Sequence, residues 1–154
     1  MKKYVMCMAA LAVLCAAGIA LAANGSDEPV AKGDGNLTLS AWNSFVENLN
    51  YSSVVLNQSI HGNISRRDAM VLMTTLLTLN SQTLAELEAL ETDEKYADFQ
   101  NYTIGAMRTF NGYLFNMAKF FETDEVIYVI RAREWFNASQ EYYTKGKEEA
   151  EFIF

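Results

Sequence analysis

The chain has 154 residues, 51% of them hydrophobic, with 12 basic and 19 acidic side chains, a formal charge of −7, one proline, two cysteines and one histidine. That is one compact domain's worth of sequence, too poor in proline and glycine for a disordered or collagen-like chain. The acidity excludes a nucleic-acid partner, whose phosphates demand a basic footprint.

Lys2 and Lys3 precede an uncharged run from Tyr4 to Ala23, and Ala20-Leu21-Ala22 places small residues where a signal peptidase reads them. Residues 1–22 are therefore expected to be a signal peptide. Uncleaved, they would be a membrane anchor, because such a run at ~1.5 Å per residue crosses a hydrocarbon core ~30 Å thick. In both cases the lysines stay inside and the rest is exported. Both cysteines, Cys7 and Cys15, lie in this leader, behind Met6 and Leu14 rather than the small residue that precedes a lipidation site. With Lys2 and Lys3 removed, 10 basic residues face 19 acidic ones, so the exported body carries −9 and no thiol. It has to be held together by its core alone.

Residues 23–38 hold the only proline, three of the eight glycines and no aromatic residue, and read as a flexible linker. From there apolar residues recur at helical spacing. Ser40 opens a first helix with Trp42, Phe45, Val46, Leu49, Leu56 and Ile60 on one stripe, stopped by His61-Gly62. Ser65-Arg66-Arg67-Asp68 resembles a capping box and starts a second helix reaching about Glu91, with Ala69, Leu72, Met73, Leu76, Leu79, Leu87 and Leu90 inward. Glu91-Thr92-Asp93-Glu94 and Glu122-Thr123-Asp124-Glu125 each set a threonine cap before two acids and are expected to open a third and a fourth helix. The third carries Tyr96, Phe99, Thr103, Met107, Phe110, Leu114, Met117 and Phe121. The fourth carries Tyr128, Val129, Ala132, Trp135, Phe136, Ser139, Tyr142 and Tyr143. Gly146 is expected to end it, leaving residues 147–154 as an acidic extension finished by Phe152-Ile153-Phe154. Long helices joined by short loops fold back on their neighbours, so the fold class is all-α. The expected architecture is an up-down-up-down four-helix bundle over residues 39–146.

Asn-X-Ser/Thr occurs seven times, at Asn24, Asn36, Asn50, Asn57, Asn63, Asn101 and Asn137, where 12 asparagines and 19 hydroxyl residues in 154 positions predict about one and a half by chance. Helical rotation of ~100° per residue puts Asn101 and Asn137 opposite their apolar stripes and Asn50 and Asn57 on a flank. Asn63 falls in a loop and Asn36 in the linker. A thiol-free, acidic, exported helical body rich in such sequons is closer in composition to an archaeal surface protein than to a bacterial periplasmic one.

Much chemistry is excluded. One histidine and no exported cysteine leave zinc sites, covalent haem and di-iron carboxylate sites without ligands, so no metal, cofactor or catalytic residue is expected. Carboxylate pairs at helical spacing, Glu134/Glu141 and Glu88/Glu91, lie off the apolar stripes and read as solvated faces. Three polar residues do interrupt the stripes: Asn80, Thr103 and Ser139, at matching heights, form a possible polar core layer. Gly105 and Gly112, seven apart on the outer side of the third helix, form a possible contact face, with Tyr51, Val54, Val55 and the Phe152-Ile153-Phe154 end as further apolar contact candidates. The expected function is non-catalytic: an exported, glycosylated envelope or extracellular bundle that acts through an unidentified protein or surface partner, with self-association possible. The alternative is an extracytoplasmic small-molecule-binding or sensor bundle, whose ligand would sit at the polar layer between tyrosines. A holdase chaperone would instead need an open apolar concavity.

Overall fold

A computed structural model describes residues 34–154. The leader 1–22 and residues 23–33 of the linker lie outside the described residues. The described chain is entirely helical: α1 (Asp34–Ile60), α2 (Arg66–Glu88), a 3-10 turn (Glu94–Tyr96), α3 (Ala97–Thr123) and α4 (Val126–Ile153).

The four helices form a bundle in which each runs antiparallel to the next: the start of α1 lies beside the end of α2, and Gly105 and Gly112 of α3 meet Tyr142 and Trp135 of α4 in reverse order. Side chains close the α2–α3 pair at both ends. Arg66, opening α2, reaches the end of α3, donating to the Phe120 carbonyl at 2.9 Å and pairing with Asp124 at 2.8 Å. Gln100, opening α3, donates to the Leu87 and Leu90 carbonyls at the end of α2, at 2.9 and 3.0 Å. The final carbonyls of a helix have no partner within it, so each of these two ends is closed by a side chain from the neighbouring helix.

α3 is the central element and is buried on several sides. An aromatic spine links it to α1 and α4: Phe45 meets Phe110 edge-on at 5.6 Å, Phe110 stacks on Tyr113 at 5.5 Å, and Tyr113 touches Phe136 at 5.4 Å. Trp42 lies flat against Tyr143, 5.2 Å apart and 2° from parallel. α2 has no aromatic residue and packs with Ala69, Met73, Leu76, Leu84 and Leu87. Each such large side chain removed from water contributes ~1.5–3 kcal/mol, so a body without disulfides has ample core. Met73, Met107 and Met117 are fully buried as packing residues.

Several boundaries differ from expectation. α1 begins at Asp34, so the end of the expected linker is its first turn, and Gly35 is buried where a side chain would strike the Tyr96 ring at 2.8 Å. Gly62, at φ 73°, does end α1, its left-handed conformation turning the chain after Ile60. Ser65 is a complete capping box, accepting from the Asp68 N–H at 3.1 Å while its own N–H reaches Asp68 Oδ2 at 3.3 Å. Ser65→Ala is expected to cost about 1 kcal/mol in a urea or thermal melt, and no change would place the start of α2 elsewhere.

The two threonine caps are corrected. Thr123 is the last residue of α3, its hydroxyl donating to Lys119, and α4 starts after Glu125 without a side-chain cap. Thr92 precedes the 3-10 turn, and α3 starts only at Ala97. Gly146 does not stop α4, which runs through it to Ile153. Residues 147–153 therefore continue the helix, and Phe154 packs back 5.9 Å from Tyr96 and 5.8 Å from Phe99.

Candidate functional site

The three residues of the expected polar layer are all buried, and each donates a hydrogen bond to a backbone carbonyl of α3. Thr103 donates to Phe99 of its own helix at 2.8 Å. Ser139 crosses from α4 to the Ala106 carbonyl at 3.1 Å, and Asn80 crosses from α2 to the next carbonyl, Met107, at 2.9 Å. Asn80 also donates to Asn111 Oδ1 at 2.8 Å, and Asn111 donates on to Ser81 at 3.1 Å. The Met107 carbonyl can only accept, which fixes the orientation of the Asn80 amide. Its Oδ1 has no partner among the described residues. The layer thus pins α2 and α4 to the middle of α3 at successive residues, and Asn111 and Ser81 extend it. Those two were illegible in the sequence because each lies at an ordinary polar helix position.

No group of three or more His, Cys, Asp or Glu residues gathers to hold a metal among the described residues. Glu88, Glu91, Glu134 and Glu141 are exposed, and Glu88 pairs with Arg108 at 2.7 Å. His61 is also exposed, with Nδ1 2.8 Å from the Asn57 carbonyl, as expected beside a helix end. No helix among the described residues is long and apolar enough to cross a membrane. An open groove of about 190 Å³ runs between the start of α1 and the end of α2, lined by Leu37, Ser40, Ala41, Thr83, Glu86, Leu87 and Leu90.

The sequon asparagines avoid the core. Asn57, Asn63, Asn101 and Asn137 are exposed, Asn36 and Asn50 are half-buried, and Asn24 lies outside the described residues. Of the apolar contact candidates, Tyr51 and Val54 are exposed but Val55 is buried. Phe152 stands out in solvent, 87% exposed, whereas Ile153 packs on the core.

Gly105 and Gly112 are not an open face. Each lies beneath a ring of α4. A Cβ built on Gly112 would fall 2.4 Å from Cδ2 of Trp135, 2.7 Å from Cγ and 2.9 Å from Cε2. Cδ2 joins the two indole rings and is bonded within them on every side, so an atom approaches it that closely only from above the ring plane. A Cβ on Gly105 would lie 2.5 Å from both Cδ1 and Cε1 of Tyr142 and 2.8 Å from Cγ. An in-plane approach to the Cδ1–Cε1 edge would leave Cγ much farther off. Both rings therefore lie face-down on the α3 backbone, each in the space left by a missing side chain.

The register is antiparallel and repeats every seven residues, two helical turns on each side. The next rung sets Lys119 opposite Tyr128. Lys119 is held above the usual lysine range by its hydrogen bond to Glu122 at 2.7 Å, then by that carboxylate's charge and, more weakly, by Tyr128.

Trp135 stays 45% exposed and Tyr142 38%. Between them lies Ala138, three residues after Trp135 and four before Tyr142, so no large side chain of α4 stands between the rings. Thr109, on the α3 side of the gap, turns its hydroxyl back onto the Gly105 and Ala106 carbonyls, at 2.7 and 3.0 Å. Arg131 and Lys145 stand exposed one turn beyond either ring, Arg131 lying 6.0 Å from the Tyr128 ring. The chain matches no known family, no characterised protein and no solved structure.

Proposed function

We propose that this is an exported, glycosylated, non-catalytic helical-bundle protein of the cell envelope or exterior that works through surface contacts. The observation that carries this reading is the sevenfold occurrence of the sequon together with the placement of the six described copies, none of which is buried. An attached glycan must face water, a demand that all six described copies meet. The lysine-led leader supplies the route out, and the absence of cysteine beyond it suits a domain held by packing alone. The small-molecule alternative would need Asn80, Thr103 and Ser139 to face a ligand, and their hydrogen bonds to α3 carbonyls weigh against it.

The intact mass of the native protein tests the reading. The expected spectrum lies below the full-chain 17.3 kDa by the leader and then climbs in sugar-sized increments. A trimmed mass without increments would remove the glycans and the archaeal-type envelope with them. An untrimmed, unmodified 17.3 kDa would overturn export by cleavage as well.

A further inference from the structure

We propose that Trp135 and Tyr142 form a binding platform for an extended β-1,4-linked polysaccharide, two sugar units from one ring to the next. The proposal rests on the reading above only for where such a polymer would be met.

The rings carry the argument. Each lies flat on a glycine and stays partly open to solvent, and a ring presenting a face to solvent is how an aromatic side chain meets a sugar. The C–H bonds on one face of a pyranose are apolar and slightly positive, and they seat on the negative π-face of the ring. The glycines seven apart on α3 and the aromatics seven apart on α4 hold both rings on one stripe, separated by roughly 10 Å at ~1.5 Å per residue. In a β-1,4-linked chain each unit is turned over relative to the last, so every second unit presents the same face, and an extended pair of units spans this distance. The intervening sugar would pass over Ala138 and Thr109, where no large α4 side chain obstructs it, and Arg131 and Lys145 would meet hydroxyl or acidic groups at the two ends.

Other stacking polymers fit less well. Bases of a single nucleic-acid strand follow one another at ~3.4 Å, far closer than the rings, and a chain of charge −7 repels their phosphates. The platform also accounts for the exposure of Trp135 and Tyr142, 45% and 38%, on a helix whose Phe136 and Tyr143 are buried.

The test is a titration of the ¹⁵N-labelled full chain with chito- and cello-oligosaccharides. It has an internal control, because the second tryptophan, Trp42, is 7% exposed. The Trp135 indole N–H signal is expected to shift with a tetrasaccharide while that of Trp42 stays still, and a disaccharide, which reaches one ring, should bind at least tenfold more weakly. Tyr142→Ala and Ala138→Arg, neither of which removes the reporting indole, should each weaken tetrasaccharide binding at least tenfold with the circular-dichroism melt retained. Repeating the titration on Asn101→Gln removes any sugar carried by the protein one turn from Gly105 as the occupant. The proposal is overturned if a folded chain shows no Trp135 shift with any oligosaccharide, if disaccharide and tetrasaccharide bind alike, or if Tyr142→Ala binds as well as wild type. It is equally overturned if the Trp135 signal moves with protein concentration alone, which would assign the rings to a second copy of the chain.

Discussion

Asn80→Asp is expected to destabilise the bundle by roughly 3–5 kcal/mol at neutral pH, the cost of an uncompensated buried charge. In the native chain the amide donates to two acceptors, the Met107 carbonyl and Asn111 Oδ1, at 2.9 and 2.8 Å, and is wholly buried. A carboxylate there sets an oxygen against those two acceptors in place of the NH2 group and loses its hydration. Burial and the facing oxygens both favour the protonated acid, so its folded pKa lies above the ordinary Asp value of ~3.9. The sign follows. A group with a raised folded pKa is least costly below its unfolded pKa and loses stability as pH rises toward the folded value. Urea melts from pH 4 to 8 should therefore show the deficit growing with pH. Asn80→Leu carries no charge, so its deficit should be flat relative to wild type. A pH-independent Asn80→Asp variant would mean that the residue sits in water and that the layer pinning α2 to α3 does not exist.

Gly146→Val is expected to cost about 3 kcal/mol, at the upper end of overpacking effects. A first side-chain carbon at this position would fall 2.6 Å from Cζ3 and 2.9 Å from Cη2 of Trp42. That indole cannot yield, because it is stacked on Tyr143 and wedged against Phe45 and Phe99 at 5.8 and 5.6 Å. Gly146→Ala sharpens the test, since alanine gains up to ~1 kcal/mol of helix propensity over glycine. In the native background the clash should outweigh that gain and the variant should melt lower. In a Trp42→Phe background, which lacks the colliding atoms, the same substitution should raise stability. A helix stop at Gly146 would predict no dependence on Trp42, so equal effects in the two backgrounds would restore the boundary expected from spacing alone.

The pair of expectations about glycine shows where pattern reading runs out. Gly146 looked like a terminator and Gly105 and Gly112 like a bare outer face, because a glycine's physical meaning depends on what approaches it. Here all three receive aromatic rings: Trp42 from α1, and Tyr142 and Trp135 from α4. The heptad spacing of both partners was visible in the chain, but the register joining them was not. The same holds for Thr92 and Thr123, whose cap-like setting recurs before two acids at both places. Neither caps a helix, since the connection around Thr92 takes a 3-10 turn and α3 runs on through Thr123.

The periodic stripes, the Gly62 stop and the Ser65 capping box were legible from residue order, since each depends on chemistry within one or two helical turns. From these the all-helical class and the four-helix bundle followed. So did the exposed or half-buried setting of the described sequon asparagines, which is a matter of helical phase. What residue order could not state is which helix meets which side chain across the bundle. Asn80 and Ser139 could be seen as misplaced polar residues, yet their attachment to neighbouring carbonyls of α3 required all three helices in place. Trp135 and Tyr142 could be counted toward a core stripe, yet lie on its rim, partly open to solvent. Contacts between distant segments are set by packing shape and register, which no local spacing encodes, and the surface proposed to bind sugar is built wholly from such contacts.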